Sequence, residues 1–347
     1  MSDQWITHLQ AQGASFADGR VACFGAPVPT PAAGDGPGIL CDLSHEGLIR
    51  VAGPDAGAFL QAQLTNDVLA LPVGAAQWNG WCSPKGRLLA TFLLWRDEAG
   101  YVLQLPRALQ AGIQKRLQMF VLRSKVTLSD EGAQGERFGI AGKTSAGTVT
   151  LAVAGKAELP SADMTVTTHG DLQIVRLSEH RFEIIAPAGT AIGLWNAMSS
   201  ALQPSGAPAW DGLNIRAGVL QVLPATQDAF VPQMANFELA GGVSFRKGCY
   251  PGQEIVARTQ YRGILKRRMV LVRSSVEVKP GDAVYGTEFG DQAAGTVANA
   301  APASDGGFEA LVVAQIESIK SGSLRAGQLG GAALVRLPLP YPVPELD

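Results

Sequence analysis

The sequence predicts an α+β fold: two antiparallel, ferredoxin-like α+β units followed by a C-terminal β-barrel. Three observations predict it. Between residues 48 and 128 the apolar positions switch between strand-like and helix-like spacing in the order β-α-β-β-β-α-β. A strand–strand–Pro–helix run between residues 172 and 198 echoes that order. Beyond Ile264 only short strand-like runs remain, separated by Gly, Asp and Ser, and no helical period survives.

Taken in order, the first 38 residues are rich in Gly, Pro and Ala and read as mostly irregular. Leu48-Ile49-Arg50-Val51 reads as a strand, and Pro54-Asp55 opens a helix whose apolar face carries Phe59, Leu60 and Leu64. Strands follow over 76–81, 88–95 and 101–105. A clearer helix carries Leu109, Ile113, Leu117 and Phe120 at spacings of four, four and three, and 126–128 closes the unit as a strand. In the echo, Leu172, Ile174 and Arg176 alternate up to a turn at 178–181, and Phe182, Ile184 and Ala186 alternate back. Pro187 then precedes a helix bearing Ile192, Trp195 and Met198. The barrel strands fall at 269–272, 284–285, 295–297, 311–316 and 333–337. The ending from Pro338 to Pro344 excludes a helix or central strand and is expected to lie extended against the barrel.

Hydrophobic residues at 46% and charged residues at 17% describe a globular chain, and Gly 41 with Pro 21 calls for many turns. No basic stretch followed by an apolar run opens the sequence, and the 88–95 run is too short to span a bilayer. A cytoplasmic protein without a membrane partner is expected. Cys23, Cys41, Cys82 and Cys249 are far apart with no CxxC pair, and the four histidines are equally dispersed. Neither a metal site nor a disulfide framework is therefore indicated. Net charge is −2, yet Arg246, Lys247, Arg258, Arg262, Lys266, Arg267 and Arg268 crowd one stretch against Glu254 alone. That stretch is either a solvated face or a site for an anionic partner, such as a polycarboxylate tail or phosphates. It lacks the aromatic–basic interleaving of RNA-recognition modules, so direct nucleic-acid binding is not expected.

The segment Gly241-Gly242-Val243-Ser244-Phe245-Arg246-Lys247-Gly248-Cys249-Tyr250-Pro251-Gly252-Gln253-Glu254 carries the chemistry. Gly248 and Gly252 bracket Cys249 and let the backbone turn tightly or approach a ligand. Lys247, two positions before the thiol, favours thiolate. Gln253 and Glu254 open a helix where a carboxylate faces the positive end of the dipole. The plain alternative is a Gly-rich connector around a buried structural cysteine.

The KGCYPGQE run from Lys247 to Glu254 resembles the signature of the YgfZ family. Phe230-Val231-Pro232-Gln233, Asn236, Val256-Ala257-Arg258, Arg262-Gly263 and Lys266-Arg267 continue the match, as does Trp210 with Leu213-Asn214-Ile215 and Ala217-Gly218. Upstream it takes in Gly53, Asp55, Gln61, Gln63, Thr65, Asp67-Val68, Lys85-Gly86 and Ser124-Lys125-Val126-Thr127. The resemblance implies an architecture like the T-protein of glycine cleavage, with the three parts surrounding a central folate cavity. Its parts would be 43–130, 1–42 together with 131–262, and 263–347.

It also implies tetrahydrofolate or a one-carbon derivative as cofactor, and iron–sulfur client or assembly proteins as partners. The role implied is an accessory one in synthesis or repair of those proteins, with an indirect effect on tRNA modification. Cys249 and Lys247 are the expected functional pair. Trp210 is expected against the folate, with Gly248, Tyr250, Gln253 and Glu254 around it and Arg258 and Arg262 on its glutamate tail.

Two departures stand out. In Pro84-Lys85-Gly86-Arg87-Leu88-Leu89, Leu89 occupies the place of the acid that the T-protein uses near the folate N5. Leucine transfers no proton, which argues against the alternative reading, a folate-dependent aminomethyltransferase. Arg216 stands where relatives commonly have a Glu suited to accept from the pterin, leaving Asp211 as the nearest acid in sequence. Glu46 also stands where some members carry an aromatic residue. Whether the chain catalyses a reaction is not decided by its residues.

Overall fold

A computed structural model describes residues 1–25, 38–132, 135–263 and 265–346. The chain opens with α1 (Asp3–Ala11), capped by the Ser2 hydroxyl accepting from the Trp5 amide at 3.2 Å. A hairpin follows, β1 (Ala14–Ala17) and β2 (Arg20–Phe24), turned by Asp18 and Gly19, both at positive φ. The expectation of an irregular start is thus corrected for residues 3–24, because Asp18-Gly19 is a two-residue hairpin turn. The remainder of that expectation, 26–37, lies outside the described residues.

Next come β3 (Ile39–Asp42), β4 (Glu46–Ala52), α2 (Ala56–Gln61), β5 (Ala76–Cys82), β6 (Leu88–Asp97), β7 (Gly100–Pro106), α3 (Arg107–Gln118) and β8 (Thr127–Asp130). They are followed by β9 (Glu136–Ala141), α4 (Ser145–Val153), β10 (Thr165–His169), β11 (Leu172–Ser178), β12 (Arg181–Ala186), α5 (Ala188–Met198), β13 (Gln203–Ser205), α6 (Ala207–Arg216) and α7 (Gln253–Arg262). The end of the chain forms β14 (Arg267–Ser274), β15 (Ala283–Tyr285), β16 (Ala293–Pro302), β17 (Phe308–Gln315), α8 (Ile316–Ser321), β18 (Arg325–Ala326) and β19 (Leu334–Leu337). The six-residue α8 corrects the all-strand expectation for this region.

The contacts divide the chain into two compact units. The first comprises Met1–Gly57, Leu69–Gln77 and Leu93–Trp210; the second comprises Ala58–Val68, Trp78–Phe92 and Asp211–Asp347. In the first, six strands run in the order β10-β11-β12-β9-β3-β13, antiparallel except for the last pair. One face carries Leu40, Phe138, Ile140, Ile174, Phe182 and Ile184, packed with Trp5 and Leu9 of α1, Val149 and Val153 of α4, and Leu194, Trp195 and Met198 of α5. The register puts Cys41, Arg137, Gly139, Arg181 and Glu183 on the opposite face. A second antiparallel sheet pairs β6 with β7, β7 with β4, and β4 with β8. Its helix α3 buries Leu109, Ile113 and Leu117. Phe120, expected on that face, lies beyond the helix end and is 43% exposed.

In the second unit β5 and β6 meet through a turn closed by Ser83 N–H to Arg87 O and Gly86 N–H to Ser83 O, both 2.8 Å. The C-terminal strands, ordered β18-β15-β16-β17-β14-β19 and antiparallel throughout, curl into a half-barrel. Val270, Val272, Val284, Val297 and Val312 fill it. The Pro-rich ending packs on this core through Leu339, Tyr341 and Val343, and the Tyr341 hydroxyl donates to Gly218 O at 2.5 Å.

Candidate functional site

The KGCYPGQE segment is fastened to residues 61–66. The Thr65 hydroxyl donates to Gly242 O and accepts from the Gly80 backbone amide, both at 2.7 Å, and the Asn66 side-chain Nδ2 donates to Gly241 O at 2.8 Å. Lys247 follows. Its ammonium donates to Gln61 O and Leu64 O at 2.6 Å and to Asn66 O at 3.0 Å, so all three protons find carbonyls at and just beyond the end of α2. Carbonyls at a helix end are the negative pole of its dipole, which suits a cation. Burial pulls this ammonium down to about 8, opposed by the nearby Asp67 carboxylate. The Tyr250 ring centroid lies 5.4 Å from Nζ and its side chain is buried. Lys247, expected beside Cys249 as an electrostatic partner, is thus bonded to the 61–66 backbone and sets the path of the loop.

Gly252 secures the other side. At φ 78 it precedes α7, and a Cβ there would stand 2.4 Å from Ser83 O and 2.7 Å from Gly86 Cα. Only glycine permits both the left-handed backbone and that approach. Gly248 is exposed with open space around it, so the loop's constraint comes from Lys247 and Gly252. Between them Cys249 is exposed. Cys41 and Cys82 are buried, Cys23 is half-buried, and burial pushes the Cys82 thiol up to about 12. Among the four, Cys249 is the most open to a reacting partner, as a nucleophile or metal ligand needs.

Helix α7 buries Val256 and carries Glu254, Arg258, Tyr261 and Arg262 outward; Gln253 is half-buried. The basic stretch seen in the sequence divides here. Lys247 faces inward as described, and Arg268 is buried against Glu238 at 2.6 Å and Glu345 at 2.8 Å. Arg246, Arg258, Arg262 and Lys266 stay exposed.

In the first unit Trp210 is 1% exposed. Its six-membered ring rests on Gly139, where a Cβ would come within 2.6 Å, and the Arg181 guanidinium lies over the ring at 4.6 Å. Beside them are Glu183, bonded to Gln104, and Arg137, whose Nη2 donates to Glu46 O at 2.5 Å. Among the described residues, Glu183 Oε2, Arg137 Nε and Nη1, and Gln104 Oε1 are buried without a hydrogen-bond partner. Burial raises the Glu183 carboxyl to about 7 and lowers Arg137 and Arg181 to about 10. Sequence reading missed this group. The alternation of Phe182, Ile184 and Ala186 singles out no role for Glu183, and only the pairing of β9 with β12 brings Arg137 and Glu183 together.

The sign of the Glu183 shift makes a prediction. Its folded value lies above the ordinary 4.5, so between pH 4.5 and about 7 the folded state holds a proton that the unfolded chain has lost. This group's contribution is complete below pH 4.5 and declines as pH rises to about 7. Glu183→Gln, followed by urea unfolding across that window, is expected to gain stability relative to the parent with rising pH and then level off. A pH-independent difference contradicts the assignment.

The two departures also have structural settings. Leu89 is buried, and its carbonyl accepts from Gln227 Nε2 at 2.9 Å. Arg216 binds Glu309 of β17 through two contacts, at 2.7 and 3.1 Å. Substituting that arginine therefore removes the shorter of the two ion pairs of Glu309, leaving Arg273 Nη1 at 3.7 Å.

With this geometry in place, comparison with known proteins decides the family. The GCVT N-terminal domain family matches residues 37–244. The tRNA-modifying protein YgfZ of Edwardsiella ictaluri is 30% identical over 323 residues, covering 91% of this chain and 96% of that protein. The chain belongs to the YgfZ family. The YgfZ of Photorhabdus laumondii is 31% identical over 317 residues, covering 89% of this chain and 94% of the relative. The fold is that of the glycine cleavage system aminomethyltransferase T from Bartonella henselae, with TM-score 0.79 at 19% identity over 98% of this chain and 97% of that one. Among the described residues of this YgfZ-family chain, no helix is long and apolar enough to cross a membrane.

Proposed function

We propose that this protein binds a reduced folate and acts as an accessory factor in synthesis or repair of iron–sulfur proteins, affecting tRNA modification through them. The observation that carries this reading is the exposed Cys249 in a loop pinned by Lys247 and Gly252. A pinned, accessible thiol is suited to transient chemistry: capture of a cluster, thiol exchange, or attack on a one-carbon unit. One thiolate does not hold a cluster, which normally takes four ligands, so the partner protein supplies the others.

The unpartnered atoms of the first unit fit a polar heterocycle such as a pterin. Glu183 Oε2 accepts from an amino or ring N–H group, and Arg137 Nε and Nη1 donate to a ring carbonyl or nitrogen. Trp210 offers a flat face once Arg181 moves from above it. A bound tetrahydrofolate supplies a one-carbon carrier at N5. Gly248, Tyr250, Gln253 and Glu254 stay in the proposal as the surroundings of Cys249. Arg258 and Arg262, one helical turn apart and exposed, present two guanidiniums to an anionic chain such as a polyglutamate. The competing reading, aminomethyl transfer of T-protein type, has against it the buried hydrocarbon of Leu89 where that reaction needs an acid.

Titration of the purified protein with tetrahydrofolate tests the proposal. Saturable quenching of tryptophan fluorescence is expected, reduced in Trp210→Ala. Absence of saturation, or an unchanged amplitude in the variant, rejects the role of Trp210. Glycine-cleavage activity in a purified system supports the transferase instead.

A further inference from the structure

Where α3 ends, the chain turns through residues 119–125 and puts apolar side chains into solvent. Met119 is 63% exposed, Phe120 43% and Leu122 87%, while Val121 between them is buried. Leu122 has φ 47, the left-handed region that a bulky residue enters at a cost of roughly 1–2 kcal/mol. Folding alone gives no return for that strain, since the side chain it orients touches mainly water. Single exposed apolar residues are ordinary; three within four positions on a strained turn are not.

The turn is held firmly. The Lys125 amide donates to the Asp55 carboxylate at 2.7 Å, and the Ser124 amide donates to Val121 O at 2.8 Å. Gly53, at φ 115, lies so close to Lys125 O that a Cβ would come within 2.3 Å. The apolar tip is therefore presented in a fixed geometry, which lowers the ordering cost of an association.

Its surroundings indicate the occupant. Lys115, Arg116, Arg123 and Lys125 are exposed around the tip, and no Asp or Glu occurs from Arg107 to Thr127. Beside the tip, Asp55, Leu122, Arg123 and Ser124 line a shallow depression, wide open to solvent, against which an apolar side chain can rest. A lipid surface uses an apolar tip and a basic rim but has no use for a concavity. A nucleic acid uses the rim but gains nothing from Leu and Met. A protein segment that combines acidic residues with an apolar anchor uses all three features. We propose that the 119–125 turn, its basic rim and the adjoining depression form the docking surface for a partner protein presenting such a segment.

A photo-crosslinking residue placed at position 120 of the full chain in cells, followed by identification of the attached peptide, tests the proposal. The expected product is one discrete peptide that is acidic and carries an exposed apolar residue. With that partner purified, Leu122→Asp and Arg123→Glu are each expected to weaken binding by about tenfold or more. Leu122→Gly, which keeps the left-handed turn and removes the anchor, guards against misfolding as the cause and is expected to weaken binding too. Binding of phosphatidylethanolamine–phosphatidylglycerol vesicles or total tRNA that Leu122→Asp abolishes, scattered cross-links, or affinities unchanged by the three substitutions each overturn the proposal.

Discussion

Replacing Cys249 by Ala is expected to abolish rescue of a strain lacking the native gene, scored as activity of a [4Fe–4S] enzyme, without weakening the fold. The side chain is exposed, and substitutions at such positions typically move stability by no more than about 0.5 kcal/mol. The thiol's neighbours on the loop are held by other groups, Lys247 before it and Gly252 after it, so its removal leaves the loop in place. Cys82→Ala makes the contrast, since that side chain is buried and its loss acts on packing. The two readouts, rescue and urea midpoint, thus move separately: Cys249→Ala loses the first alone. Full rescue by Cys249→Ala contradicts a chemical role for the thiol and returns the segment to a structural connector.

Lys247→Met is expected to have the largest effect on stability, a loss of about 3 kcal/mol or more. Methionine retains the apolar stem but leaves Gln61 O, Leu64 O and Asn66 O without the donor that joins them. Hydrogen bonds from a charged donor are worth about 1.5–3 kcal/mol each, and a buried acceptor left unmade loses about 1–3 kcal/mol. The effects are not additive because the three carbonyls share one donor, so the sum is an upper bound. Lys247→Arg is not expected to restore the parent, since a planar fork does not converge on three carbonyls as an ammonium does. Denaturant unfolding measures the loss, and faster thiol labelling at Cys249 reports the loosened loop. A midpoint equal to the parent's contradicts the anchoring role.

Much of the first unit was legible because its signals are local. Leu109, Ile113 and Leu117 repeat at helical spacing and are buried on α3, and β6 and β7 stand where continuous apolar runs place them. Phe120 continues the same spacing, yet it lies past the helix end at Gln118, because periodicity does not mark where a helix stops. The hairpin of β1 and β2 was missed although Asp18-Gly19 signalled it; the surrounding Gly and Ala content outweighed a two-residue cue. The KGCYPGQE run pointed to Cys249 by composition. What its lysine binds was beyond reach, because Gln61, Leu64 and Asn66 lie more than 180 positions away.

The sequence alone determined the family and the alternation of strands and helices, and it pointed to Cys249. Each is carried by residues a few positions apart, or by a pattern that needs no partner. Only the tertiary structure decided that Lys247 faces three carbonyls, that Glu183 and Arg137 share a buried face, and that Arg181 covers Trp210. These facts depend on which strand pairs with which and in what register, and one residue of slip would turn every such side chain to the other face.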